Sequence, residues 1–125
     1  MKPPDEWMAQ ADYDMDTAKT MYRSGRYFYA VFMCHLSLEK GLKGLYAKHA
    51  GKEPQKTHDL VLLGAKTGLN FPPTVLSFIA TLSSLSVPTR YPDTLKNVLT
   101  AFTKENTRKT LKQSREALKW FKTQL

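Results

Sequence analysis

The stretch "YFYAVFMCHLSLEKGLKGLYAKHA", residues 27–50, decides the fold. Its first third is apolar nearly all round, after which the pattern narrows to Leu38, Leu42 and Leu45, the three-and-four spacing of one helix face. A helix that is apolar on every side is either central or self-associating. The segment therefore predicts one long helix, Tyr27 to about Ala50, at the middle of an all-α bundle.

Outward from it the same period recurs. Met8, Ala11, Met15, Ala18 and Tyr22 share one face of a helix from about Pro4 to Ser24, and Ser24-Gly25 ends it. Pro3 and Pro4 suit its start, and Asp5 and Glu6 complement the positive end of its dipole. Downstream, "GKEPQ" (51–55) and "TGLNFPP" (67–73) read as loops. Between them Thr57 is placed to cap a short helix from His58 to about Lys66. Val75, Phe78, Ile79, Leu82 and Leu85 mark a fourth helix from about Thr74. "LKNVLTAF" (95–102) has helical period without clear caps. Thr103 caps a last helix from Lys104 to about Gln124, with Leu111, Leu118, Phe121 and Leu125 inward. No repeat and no β-like alternation interrupts this order, and the reading is one antiparallel helical domain over residues 1–125, an up-and-down four- to five-helix bundle.

The stretch "VPTRYPDT" (87–94) breaks that regularity. Proline lacks an N–H and pushes the preceding residue out of the α region, so neither Val87 nor Tyr91 is expected to be helical. A break that holds Arg90, Tyr91 and Asp93 together supplies a cation, a ring and a carboxylate, more than a connector needs.

Charge and cysteine usage narrow the classes. The formal net charge is +8, with residues 1–50 carrying seven Lys/Arg and six Asp/Glu and residues 51–125 twelve against five. A cationic domain attracts phosphates and anionic surfaces. No apolar run approaches the ~20 residues of a membrane span. "MKPPDEW" lacks a signal-peptide core, and one cysteine, Cys34, permits no internal disulfide, so a cytoplasmic location is expected.

On the central helix His35, Glu39 and Lys43 form an i, i+4, i+8 column at the edge of the leucine stripe. A carboxylate near apolar surface needs a cation. Lys43 gives a helix pair, and Arg90 is the predicted second partner because a guanidinium offers two parallel hydrogen bonds. His58-Asp59 is explained by capping; a metal site would need His35, His49 or Asp93 as further ligands, and none is expected. Cys34 lies in an apolar run and reads as core. On the last helix Lys104, Arg108, Lys112, Arg115, Lys119 and Lys122 lie within an arc of roughly 80°, a stripe about 27 Å long at 1.5 Å per residue. The stripe is read as a solvated face or a partner for Asp12 and Asp16, with a phosphate track as the alternative.

Four stretches, "WMAQADYDMDTA" (7–18), "GRYFYAVFMCHLSLEKGLKGLYAKHAG" (25–51), "KTHDL" (56–60) and "PTRYPD" (88–93), together resemble the HEPN domain. The resemblance implies a helical bundle, usually a homodimer, associated with nucleotide or RNA binding and often found beside a minimal nucleotidyltransferase in toxin–antitoxin pairs. RNase members carry an Arg and a His a few residues apart. Here Arg26 and His35 leave eight residues between them, Arg23 leaves eleven, and no His follows Arg90, Arg108 or Arg115. The expectation is a binder without catalysis and without a cofactor. Its phosphate-binding set is Arg90, Tyr91, Lys43, His58 and Lys40, oriented by Glu39, Asp59 and Asp93. A metal-independent ribonuclease using His58 or His35 with Arg90, and a purely structural dimerisation module with an interface from "YFYAVFM", are the alternatives.

Overall fold

A computed structural model describes all 125 residues. The first helix, α1, runs Pro4–Arg23 with Pro at its first position, where the missing N–H is one the helix could not use. Its last turn closes through Ser24 and Gly25, the latter at φ 77°. The second, α2, runs Tyr27–Ala50 and ends on Gly51 at φ 66°, a left-handed cap that only glycine adopts cheaply. Short α3 (Leu60–Lys66), α4 (Pro73–Ser84), α5 (Ser86–Arg90), α6 (Leu95–Ala101) and α7 (Lys104–Thr123) complete the chain, with no strand. The frame is the set of four longer helices, α1, α2, α4 and α7.

α2 is the hub, packing on every other helix. That accounts for its all-round apolar start: Phe28, Ala30, Val31 and Cys34 are buried inside the monomer, and only Tyr29 of "YFYAVFM" is exposed. The run is central rather than a ready-made interface. Small residues set its spacing. Ser37 donates to the Ala11 carbonyl across the α1–α2 seam at 2.7 Å. A Cβ on Gly44 would stand 3.0 Å from Trp7 Cβ and 3.2 Å from the Pro4 carbonyl oxygen. On the α7 side a Cβ on Gly41 would stand 2.9 Å from the Phe121 ring. Leu38, Leu42 and Leu45 are fully buried, each contributing about 1.5–3 kcal/mol relative to exposure. Burial pushes the Cys34 thiol up to about 12, which makes it a core group and not a nucleophile.

Three expectations need correction, and one open stretch is resolved. α3 begins at Leu60, not His58, because Asp59 rather than Thr57 is the cap, accepting from the Leu62 N–H at 3.1 Å. Thr57 instead accepts from the Asp59 N–H, and His58 stays outside the helix. Val87 is helical: Pro88 lies in the first turn of α5, where a missing N–H costs nothing, and the break falls at Leu85 and again at Tyr91. "LKNVLTA" is a true helix, capped by Thr94 accepting from Asn97. Leu125 lies beyond the end of α7 and is exposed. No helix is long and apolar enough to cross a membrane.

Candidate anion site on the central helix

The column His35, Glu39, Lys43 faces α3 and α5, and the loop before α3 brings His58 onto it. Glu39 is 4% exposed. Its Oε1 accepts from His58 Nδ1 at 2.8 Å and its Oε2 from Lys43 Nζ at 3.1 Å, with His35 Nδ1 3.8 Å away. The buried carboxylate therefore has two cationic or donor partners, but Arg90 is not one of them. α5 does fold back on α2, as the kinked connector suggested. Its guanidinium then lies over the Phe32 ring, 4.9 Å from the centroid, in cation–π geometry rather than in a fork with Glu39. The predicted Arg90–Glu39 pair is absent because His58, delivered by the α2–α3 loop, already occupies Oε1.

Stacking on Phe32 leaves Arg90 Nε and Nη2 buried with no hydrogen-bond partner. His35 is in the same condition. It is 1% exposed and both ring nitrogens are unpartnered. Burial lowers its pKa to about 4, with Glu39 opposing and Arg90 and His58 adding to the shift. His35 is therefore neutral at pH 7. Buried donors are paired in the great majority of proteins, so a partnerless guanidinium beside a neutral imidazole stands out.

At the other end of the column the Trp7 ring carries two ammonium groups, Lys2 Nζ at 3.9 Å and Lys43 Nζ at 5.8 Å. Neither Trp7 nor Phe32 is singled out by charge or spacing in the sequence. Phe32 is hidden in a run where every residue is apolar.

The remaining predicted residues are elsewhere or otherwise engaged. Lys40 is on the α1 side of α2, ion-paired to the buried Asp14 at 2.8 Å, and is unavailable to an anion. Asp14 was legible, since it shares the Ala11/Ala18 face. Tyr91 is 71% exposed and lines a 340 Å³ concavity with Asp93, Val87 and Phe102. Neither Asp59 nor Asp93 has a basic group within 4.0 Å, so neither orients a cation. His49 donates to the Gln124 carbonyl at 2.7 Å, far along α2 from His35. The concavities along α1, α4, α6 and α7 are lined by other residues and include neither His58 nor Arg90.

The fold has counterparts in known proteins. TT1696 from Thermus thermophilus is 23% identical over the whole of both chains and superposes with a TM-score of 0.87, a likeness of fold. ST0689, an archaeal HEPN homologue, is 27% identical over 99% of this chain and 98% of its own, with a TM-score of 0.78. No curated protein matches the chain. The HEPN domain model matches residues 4–124, nearly the full length, and the chain accordingly belongs to the HEPN domain family.

Proposed function

We propose that the protein binds a phosphate-bearing ligand, a nucleotide or an RNA phosphate, at the Arg90–His58 surface without cleaving it. The observation that carries this reading is the guanidinium of Arg90, held on Phe32 with two buried N–H groups facing no acceptor. A phosphate that reached them as the segment around Arg90 opened would accept from both at once, which is the geometry arginine suits best. His58, its ring held on Glu39, is the second donor of the proposed site, while Lys43 is tied to the other Glu39 oxygen. Thermal melts with inorganic phosphate and a panel of nucleoside mono- and triphosphates test it. A ligand at a hundred times its Kd raises stability by about 2.7 kcal/mol. Arg90→Ala removes hydrogen bonds to a charged group, about 1.5–3 kcal/mol, and weakens binding roughly ten- to a hundred-fold. The same panel giving equal shifts in wild type and Arg90→Ala contradicts the reading.

His35 and His58 both approach the same Glu39 oxygen, at 3.8 and 2.8 Å, which is the observation favouring the metal-independent ribonuclease as a second reading. Labelled RNA incubated in EDTA decides between them. Cutting lost in both His58→Ala and Arg90→Ala supports catalysis, and intact RNA supports binding alone.

The proposed assembly is a cytoplasmic homodimer, with a minimal nucleotidyltransferase as the further partner that family resemblance suggests. A second copy is the proposed cover for Val87, Tyr91, Leu95 and Leu99, exposed apolar residues concentrated along α5, α6 and the turn between them. Sedimentation equilibrium of Val87→Asp/Leu99→Asp is expected to give the monomer mass where wild type gives twice it. Equal masses contradict the placement.

A further inference from the structure

The basic stripe of α7 meets α1 along a groove on a different side of α2 from Arg90. Gly41 of α2 faces α7, whereas His35 and Glu39 face α3 and α5. The groove encloses about 280 Å³ over a floor of buried Met15 and Leu118. Arg115, Lys119 and Lys122 form one rim and Asp12, Asp16 and Lys19 the other. A second concavity of about 350 Å³, lined by Lys112, Glu116 and again by Arg115 and Lys119, continues it along the helix. The two share residues, so they form one track.

The local ion pairs determine which charges remain. Lys122 is bound to Asp12 at 2.6 Å, so the sequence expectation of a stripe neutralised by α1 holds at that one position. Arg108 is held by Glu105 at 2.7 Å. Lys19, Lys112, Arg115 and Lys119 have no carboxylate within 4.0 Å, and Asp16 and Glu116 have no cation. Four free cations thus stand against two free carboxylates, with Lys112, Arg115 and Lys119 spread over about 10 Å of α7 at 1.5 Å per residue and Lys19 across the groove on α1. A membrane surface would require apolar side chains beside the cations, and the exposed face of α7 presents none. Regularly spaced charge on a polar face suits a chain of regularly spaced phosphates.

We infer that the α1–α7 groove is a second anion site, separate from Arg90, which holds the phosphodiester backbone of single-stranded nucleic acid without reading its sequence. Four phosphate contacts on a single strand give a slope of log affinity against log salt of about −3, or roughly sixtyfold weaker binding at 200 than at 50 mM.

Fluorescence anisotropy of a labelled oligouridylate measures that slope. Lys112→Gln/Arg115→Gln/Lys119→Gln is expected to bring it to about −1 and to weaken binding at least tenfold at 50 mM salt. All three side chains are exposed, so the melting temperature should hold. Glu116→Gln is expected to tighten binding two- to threefold, a gain that misfolding cannot mimic. Arg90→Ala should leave the slope unchanged, which separates this site from the first. A triple variant that keeps the wild-type slope, an oligonucleotide that fails to bind at 50 mM salt, or polyglutamate competing as well as RNA at equal charge would overturn the inference.

Discussion

Glu39→Ala is expected to destabilise the fold by about 3 to 5 kcal/mol, the cost of breaking a buried pair from one side. The carboxylate is 4% exposed and satisfies both His58 and Lys43. Without it the Lys43 ammonium, on a side chain 12% exposed, keeps its charge and loses its only anion. For a domain of this size the loss is a fall in Tm of roughly 10 to 20 °C. Glu39→Leu/Lys43→Met removes both charges and fills the space with apolar atoms, and is expected to recover most of the stability. Thermal and urea denaturation of the single and double variants read the difference. A single-variant loss under about 1 kcal/mol would mean that Glu39 is solvated in the native state.

The second large effect lies on the opposite side of α2. Phe121 is fully buried against Gly41 and packs edge-on to Phe71 and Trp120. Phe121→Ala is expected to cost about 3 to 5 kcal/mol, from lost transfer energy and the cavity left behind. Gly41→Ala pushes a methyl to within 2.9 Å of the same ring. Overpacking there costs about 1 to 3 kcal/mol, offset by up to about 1 kcal/mol of helix propensity. In the double variant the methyl enters the space that the ring vacated, so the two losses should fall short of additivity by about 1 kcal/mol. Strict additivity in urea denaturation would show that residue 41 and the ring do not touch.

Much of this arrangement can be read from the residues. The Ala11/Met15/Ala18 face, the leucine stripe of α2 and the Thr103 cap each follow from local spacing, which is why α1, α2 and α7 emerge with nearly the observed bounds. Thr94 caps α6 by the same hydrogen bond that Thr103 makes, yet "LKNVLTA" is seven residues long, too short for its period to stand out. Val87 illustrates a rule overridden by context: the residue before a proline is disfavoured in a helix, but Pro88 stands in the first turn of α5, where its missing N–H forfeits no hydrogen bond. The need of Glu39 for a cation is local and legible. Which cation arrives depends on how the 51–59 loop closes, and no spacing rule encodes that. Phe32 illustrates the same limit, since its role follows only from where Arg90 lands.

The two proposed anion sites would divide the cationic surface in a physically distinct way. Arg90 is a half-buried fork with unmade bonds, so the proposed ligand would gain directed hydrogen bonds at low dielectric. The α7 track is exposed and screened by salt, so its contribution depends on ionic strength. A nucleic acid long enough to engage both would respond to salt through α7 and to Arg90→Ala through the fork.

The most direct measurement follows the Arg90 Nε–H resonance of ¹⁵N-labelled protein during titration with a nucleoside monophosphate. The account predicts that this resonance moves and saturates along the same curve as the rise in Tm, while the amides of residues 112–122 stay in place. Saturable binding that leaves the Arg90 side chain unmoved would contradict it.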